Sequence, residues 1–253
     1  MIQSGYTAAL GLKTQQARVD AIANNIANIS TIGYKSTKVD FKDALYQAML
    51  DPSDPESTQN LQRGCGVLLS GTSKVFTQGT PQQTGIETDL YIDGQGFFSV
   101  QAPDGNVYYT RDGNFSKSVE AGGTYLTTAK GYYVLDVNGN KIQLQGDSMT
   151  VSGSGQISAD ANSAAYATIG LVTFPNKQGL TAVSDNLFAE SATSGEPVQA
   201  GNETHILQKT LEGSNVELGT ELTRLMRAQR AFSLASRALT TADEMDSYAN
   251  SMR

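Results

Sequence analysis

The sequence predicts an α+β protein in which two long terminal helices pair as a coiled coil, with a mainly antiparallel β middle domain between them. Three observations carry that expectation. All six prolines fall between Pro52 and Pro197, and no glycine follows Gly219 although the chain holds 25. Both residues interrupt helices, so their absence marks the two ends as helical. Apolar residues recur every seven positions at both ends, whereas the middle is punctuated by Asp-Gly and Asn-Gly pairs.

The first helix is expected from Ile2 to Ile29. Leu12, Val19 and Ile26 stand seven apart, with Ile22 and Ile29 in a second row beside them. This is a narrow coiled-coil seam rather than a broad core-facing stripe. The last helix is expected from Glu217 to Ser251. Leu218, Leu225, Phe232 and Leu239 give its seam, Leu222 joins that face, and Ala235, Ala242, Met245, Ala249 and Met252 continue an apolar strip beside it. Glu217 and Glu221 suit the positive end of the helix dipole, and Glu221 can pair with Arg224. At 1.5 Å rise per residue each helix spans roughly 40–50 Å, too long and too narrowly apolar to bury its seam alone.

The middle reads as short strands separated by tight turns. Asp93-Gly94, Asp104-Gly105, Asp112-Gly113 and Asn138-Gly139 are turn dipeptides that tolerate positive φ. Between them lie Phe97–Val100, Val107–Thr110, Thr124–Thr127 and Tyr132–Leu135, and Ala167–Phe174 gives a further strand stopped by Pro175. The expected domains are 1–30 with 216–253 (helical), 31–85 with 199–215 (extended or β connecting region) and 86–198 (outer β domain). Asp51–Gly85 reads as an extended or loop-like excursion.

Composition narrows the function classes. The formal net charge of −7 argues against a nucleic-acid binder, and no apolar run is long enough to insert in a membrane. A single Cys65 and a single His205 cannot build an internal disulfide or a His/Cys metal cage. Met1–Leu12 lacks the charged and apolar regions of a secretory signal. Asp136–Asn140 resembles a calcium loop only loosely, with its glycine misplaced and no bidentate Glu after it, and reads as a hairpin turn. Gly64-Cys65-Gly66 and Gly94-Gln95-Gly96 lack the strand-to-helix setting of a dinucleotide site. His205 has no orienting partner nearby, and Cys65 reads as a packing residue. No catalytic residue, metal ligand or cofactor is expected. The net charge is +1 over residues 1–30, zero over 216–253 and −8 between them, so the near-neutral ends are the expected contact surfaces.

Asn24, Asn25 and Asn28 weaken the first helix where its seam is strongest. Either they cover a solvent face and end the helix, with Gly33 as stop, or they hydrogen-bond across a helix interface and fix its register. The residues alone leave both open.

This stretch carries a resemblance. Ala23–Lys35 (Ala-Asn-Asn-Ile-Ala-Asn-Ile-Ser-Thr-Ile-Gly-Tyr-Lys) is similar to a signature of bacterial flagellar rod and hook axial proteins. Asp89–Val100, Tyr109–Phe115, Ser214–Glu217, Arg227–Phe232 and Thr241–Met245 resemble further blocks of that family, in family order. Residues 119–197 carry no signature. The resemblance implies a non-enzymatic subunit of the flagellar basal-body rod, whose terminal helices form an inner coiled-coil domain and whose copies stack into a torque-transmitting axle. It implies export through the flagellar type III apparatus without a cleaved signal peptide. It also implies contacts with other axial proteins (proximal rod and hook) and with surrounding ring proteins. The length and Phe76–Gly85 lean toward the family's distal-rod members rather than the proximal paralogue or hook types. The expected assembly residues are Leu12, Val19, Ile22, Asn24, Asn25, Ile26 and Asn28 with Leu218, Leu222, Leu225, Phe232 and Leu239. A coiled-coil surface-binding module would place its heptads contiguously. A cell-wall hydrolase would need catalytic carboxylates, and Asp89, Asp93 and Asp112 are accounted for by turns and motifs.

Overall fold

The computed structural model describes residues 2–48, 62–120, 122–146, 148–160, 163–184, 186–201 and 203–252. The Asp51–Leu61 part of the expected excursion lies outside these. The chain divides into two compact units, one of residues 1–27, 37–74 and 217–253, the other of residues 28–36 and 75–216. The stretch read from sequence as one connector, 31–85, is thus shared between the two, and 199–215 belongs with the β-rich unit.

In the first unit, helix α1 spans Ile2–Ala27 and helix α2 spans Leu218–Ser251, close to the bounds that the proline and glycine pattern gave. The two helices are in contact. Gly5 faces Leu239, its missing Cβ lying 3.8 Å from Cδ1. Between the helices in sequence runs an antiparallel pair, Thr37–Asp43 with Val67–Lys74, whose register slips at Asp40/Phe41. Such a bulge sharpens the local twist of the ribbon. Both strands also contact α1. The Arg18 guanidinium sits 5.9 Å from the centre of the Phe41 ring.

The β-rich unit is antiparallel throughout its described strand pairs. Phe97–Gln101 is central, pairing with Val107–Thr110, Tyr133–Val134 and Leu171–Thr173. Gly123–Thr128 pairs with Phe115–Glu120 and Gln143–Leu144. Successive strand residues point to opposite faces, yet Phe97 and Phe98 are both fully buried, so this strand is covered on both sides. Phe98 joins Leu90, Ile92, Val100, Leu126 and Ile206 in the main core. Phe97 packs with Tyr109, Phe174 and Phe188 in a second, aromatic cluster.

Gly94, Gly105 and Gly139 take positive φ as their dipeptides require. Gly113 does not, and its reason is different. A Cβ there would lie 1.7 Å from the Leu90 carbonyl oxygen, so the position needs glycine for close backbone approach. Asp136 Oδ1 accepts hydrogen bonds from the Asn138 and Asn140 amides at 2.8 and 2.7 Å, which closes the turn that superficially resembled a cation loop.

Candidate assembly surface and buried clasp

Helix α2 buries a stripe different from the one its large residues suggest. Its buried residues are Glu221, Ala228 and Ala242, seven or fourteen apart, with half-buried Ala235 filling the gap. The buried stripe of α2 is therefore built on small residues rather than on leucines. Of the expected residues, Leu225 and Leu239 are half-buried, whereas Leu218, Leu222 and Phe232 remain 45%, 44% and 37% exposed. On α1, Ile22 is buried and Leu12, Val19 and Ile26 are half-buried. The large apolar row of α2 is therefore left largely uncovered within one chain.

The asparagines separate into distinct roles. Asn25 is buried and grips the backbone of Thr37, donating from Nδ2 to its carbonyl at 3.0 Å and accepting its amide on Oδ1 at 2.8 Å. Neither a solvent face nor a helix–helix register contact describes it; it ties the end of α1 to the start of a strand. Asn28 Oδ1 accepts from Thr31 Oγ1 at 3.1 Å in the turn that follows the helix, while Asn24 is exposed.

The β-rich unit holds a charged cluster built from two motif residues, Lys35 and Arg111, and Glu212. Lys35, Arg111 and Glu212 are 1%, 4% and 1% exposed at their side chains. Glu212 Oε1 accepts from Lys35 Nζ at 2.6 Å and from the Gly79 amide at 2.8 Å, and Oε2 faces Arg111 Nη1 at 3.4 Å. Lys35 Nζ also donates to the Thr77 carbonyl at 2.8 Å, and Arg111 Nη2 to the Gly94 carbonyl at 2.8 Å. The Arg111 guanidinium lies 5.4 Å from the Phe97 ring centre, an arrangement favourable to a cation. Burial pushes both the Lys35 and the Arg111 cations below their ordinary values, and the Glu212 carboxylate pulls each back up.

Asn215 completes the arrangement. Its Oδ1 accepts from the Ser36 amide at 2.8 Å, and its Nδ2 donates to the Val75 carbonyl at 2.7 Å. Main-chain bonds from Val75 to Ser36 and from Asn215 to Tyr34 run alongside. Three segments distant in sequence (around Lys35, Val75–Gly79 and Glu212–Asn215) are thus cross-braced at one place. Gly33 sits beside them with φ 66°, and a Cβ there would meet the Asp112 amide at 2.8 Å. Lys35, Arg111 and Asn215 lie inside the quoted motifs, but the sequence offered no role for them. Glu212 lies just outside a motif, and with Lys209 and Glu217 charged on either side of it nothing local marks it out.

Family comparisons cover the regions that build these features. A model of the flagella basal body rod protein matches residues 6–35, one of the flagellar hook protein FlgE/F/G D1 domain matches 91–159, and one of the flagellar basal body rod FlgEFG protein C-terminal region matches 207–252. Over its whole length the chain is similar to the flagellar basal-body rod protein FlgG of Agrobacterium fabrum, with 37% identity over 95% of each chain. It is likewise similar to FlgG of Bacillus subtilis, with 36% identity over 97% of each. The flagellar hook-basal body complex protein FlhP of Bacillus subtilis is 30% identical across the full length of both chains. The helical ends, the motif-built clasp and the end-to-end similarity converge: the chain belongs to the flagellar basal-body rod protein family.

Proposed function

We propose that the chain is a structural subunit of the bacterial flagellar basal-body rod, self-assembling into the helical axle that carries torque from motor to hook. It is a structural protein and not an enzyme, as its family is. The observation that carries this reading is the end-to-end similarity to rod proteins named FlgG, at 33–37% identity.

In this reading α1 and α2 pair as a coiled coil, supported by their contact and by the seven-residue spacing of Ala228, Ala235 and Ala242. Leu218, Leu222 and Phe232, exposed in the single chain, then join Leu12, Val19, Ile22, Ile26, Leu225 and Leu239 at contacts that form on assembly. Asn24 lies on that surface, while Asn25 and Asn28 hold the helix end that presents it. The helical unit forms the inner layer, 86–198 the outer β domain, and parts of 31–85 and 199–215 connect them. The partners are copies of the chain, the proximal rod and hook axial proteins, the surrounding rings and the type III export apparatus, which moves the chain without a cleaved signal peptide. The site of action is the flagellar basal body.

A chromosomal deletion tests this. Non-motile cells with basal bodies truncated within the rod, restored by the intact gene, are expected; complete rods in the deletion strain overturn the reading.

A further inference from the structure

The chain contains one Asn-Gly pair, Asn138-Gly139. Asparagine is among the thermally labile residues of proteins, and its side-chain amide is lost when the next residue's main-chain nitrogen attacks it. A following glycine leaves that nitrogen open, because it carries no Cβ. Here both residues are exposed and Gly139 takes φ 82°. Beyond its chain neighbours, no atom lies within 4 Å of the place a Gly139 Cβ would occupy.

The leaving group is held loosely as well. Asn138 Nδ2 reaches Asp136 Oδ2 only at 3.5 Å. Five other described asparagines are gripped closer through Nδ2: Asn25 and Asn176 at 3.0 Å, Asn106 at 2.8 Å, Asn186 and Asn215 at 2.7 Å. Each of those is followed by a residue that carries a Cβ. The Gly139 nitrogen is restrained by one bond, to the Asp136 carbonyl at 3.1 Å. That bond lies in an exposed turn, and exposed turns open locally at far smaller cost than a core.

We propose that Asn138 is a site of spontaneous deamidation, with water as its only co-reactant. Base takes the Gly139 amide proton, and the nitrogen attacks Asn138 Cγ. A succinimide ring closes as the Cγ–Nδ2 bond breaks and Nδ2 departs as ammonia. Water then adds to one of the two ring carbonyls. Opening at Cγ gives aspartate at 138, whereas opening at the main-chain carbonyl gives isoaspartate, with the chain running through Cβ. One water is consumed, one ammonia is released, and nothing is oxidised or reduced.

Both products change the turn. Each puts a new carboxylate beside Asp136, whose Oδ1 already accepts the amides of residues 138 and 140. Isoaspartate also lengthens the main chain between Asp136 and Asn140. The turn is closed by the Asp136 amide on the Asn140 carbonyl at 2.8 Å and by the Leu135–Lys141 bridge. The longer chain cannot keep both in their present register. The loss of ammonia is one-way, so the change accumulates with the age of the chain. None of this depends on the assembly reading above.

The test uses the purified full chain, held in warm, mildly alkaline buffer. Tryptic peptide 131–141 is expected to gain a form lighter by one ammonia and then a more acidic form, with fragment masses that put the change at 138 and not at 140. An isoaspartate-specific carboxyl methyltransferase is expected to label the isolated acidic peptide. The initial rate is expected to rise in proportion to hydroxide, and Asn138→Ser to lose both the acidic form and the label. If peptide 131–141 stays intact in the folded chain while a synthetic peptide of the same sequence is converted, the fold shields the site and the proposal falls. It falls equally if the first asparagine to change is Asn114 or Asn140.

Discussion

Replacing Glu212 by Gln isolates the clasp. The change keeps the side chain's shape but removes the negative charge between two cations buried to 96% or more. The Lys35 bond at 2.6 Å loses its ionic character, and Arg111 at 3.4 Å loses its counter-charge. Breaking a buried ion pair from one side costs about 3–5 kcal/mol, because the desolvated partner is left uncompensated. For a unit of about 150 residues each kcal/mol moves the midpoint by about 2–4 °C, so the β-rich unit is expected to melt about 10 °C lower. Calorimetry, with near-ultraviolet dichroism of the buried tyrosines as a second probe, measures it. The alkaline range supplies a check on sign. Glu212 opposes the effect of burial on Lys35, so without it the folded Lys35 value falls further below the unfolded one. Stability of the variant therefore rises with pH from the folded value up to the unfolded value, more steeply than in the parent. Replacing all three charges together (Lys35→Met, Arg111→Leu, Glu212→Leu) is expected to recover part of the loss. Full recovery is prevented because the Gly79 amide and the Thr77 and Gly94 carbonyls lose partners. A Glu212→Gln midpoint within 2 °C of the parent, flat with alkaline pH, would refute the reasoning.

Three further outcomes follow from the geometry. Ala228→Leu forces a large side chain into the most buried position of the α2 stripe and is expected to cost about 1–3 kcal/mol in the isolated chain. Leu222→Ala, at a 44% exposed position, stays within about 0.5 kcal/mol of the parent yet lowers the assembled fraction; denaturant melts set beside sedimentation separate the two effects. Burial, and secondarily Asp89, raises the Asp112 carboxyl, while the Asn114 amide opposes the rise. Its contribution is therefore full below the unfolded value and is lost as pH climbs through the folded one. Asp112→Asn keeps the Oδ1 acceptor for Asn114, at 3.0 Å in the parent, and removes that loss. The variant is expected to be the more stable at neutral pH and equal to the parent in acid, as read from urea midpoints across pH.

Sequence pattern located both helices because proline is absent from both ends and apolar residues recur there every seven positions. Of the turn dipeptides, Asp104-Gly105 joins two strands that pair with each other, whereas Asp93-Gly94 and Asp112-Gly113 link strands that pair elsewhere. The faces of α2 were less legible. Counting large apolar residues selects Leu218, Leu222 and Phe232, but the buried stripe runs through Ala228 and Ala242, which a count of large residues passes over. The clasp was invisible for another reason. Lys35 and Glu212 are 177 positions apart, and nothing local says that two charges meet in a core. Their neighbourhoods in the motifs were visible; their partnership needed the fold. Asn25 shows the same limit, since a helix asparagine gives no hint that its target is the backbone of Thr37.

That separation governs the order of folding events. Joining residues so far apart closes a very long loop, and contacts of this kind form late because the chain entropy must be surrendered before they give anything back. The segment around Lys35 emerges early from any process that delivers the chain from its N-terminus. It has no carboxylate to meet until Glu212 arrives, and Ser36 has no side-chain acceptor until Asn215 arrives. Completion of the β-rich unit is thus timed by the last fifth of the chain, and an incomplete chain is left with its clasp open.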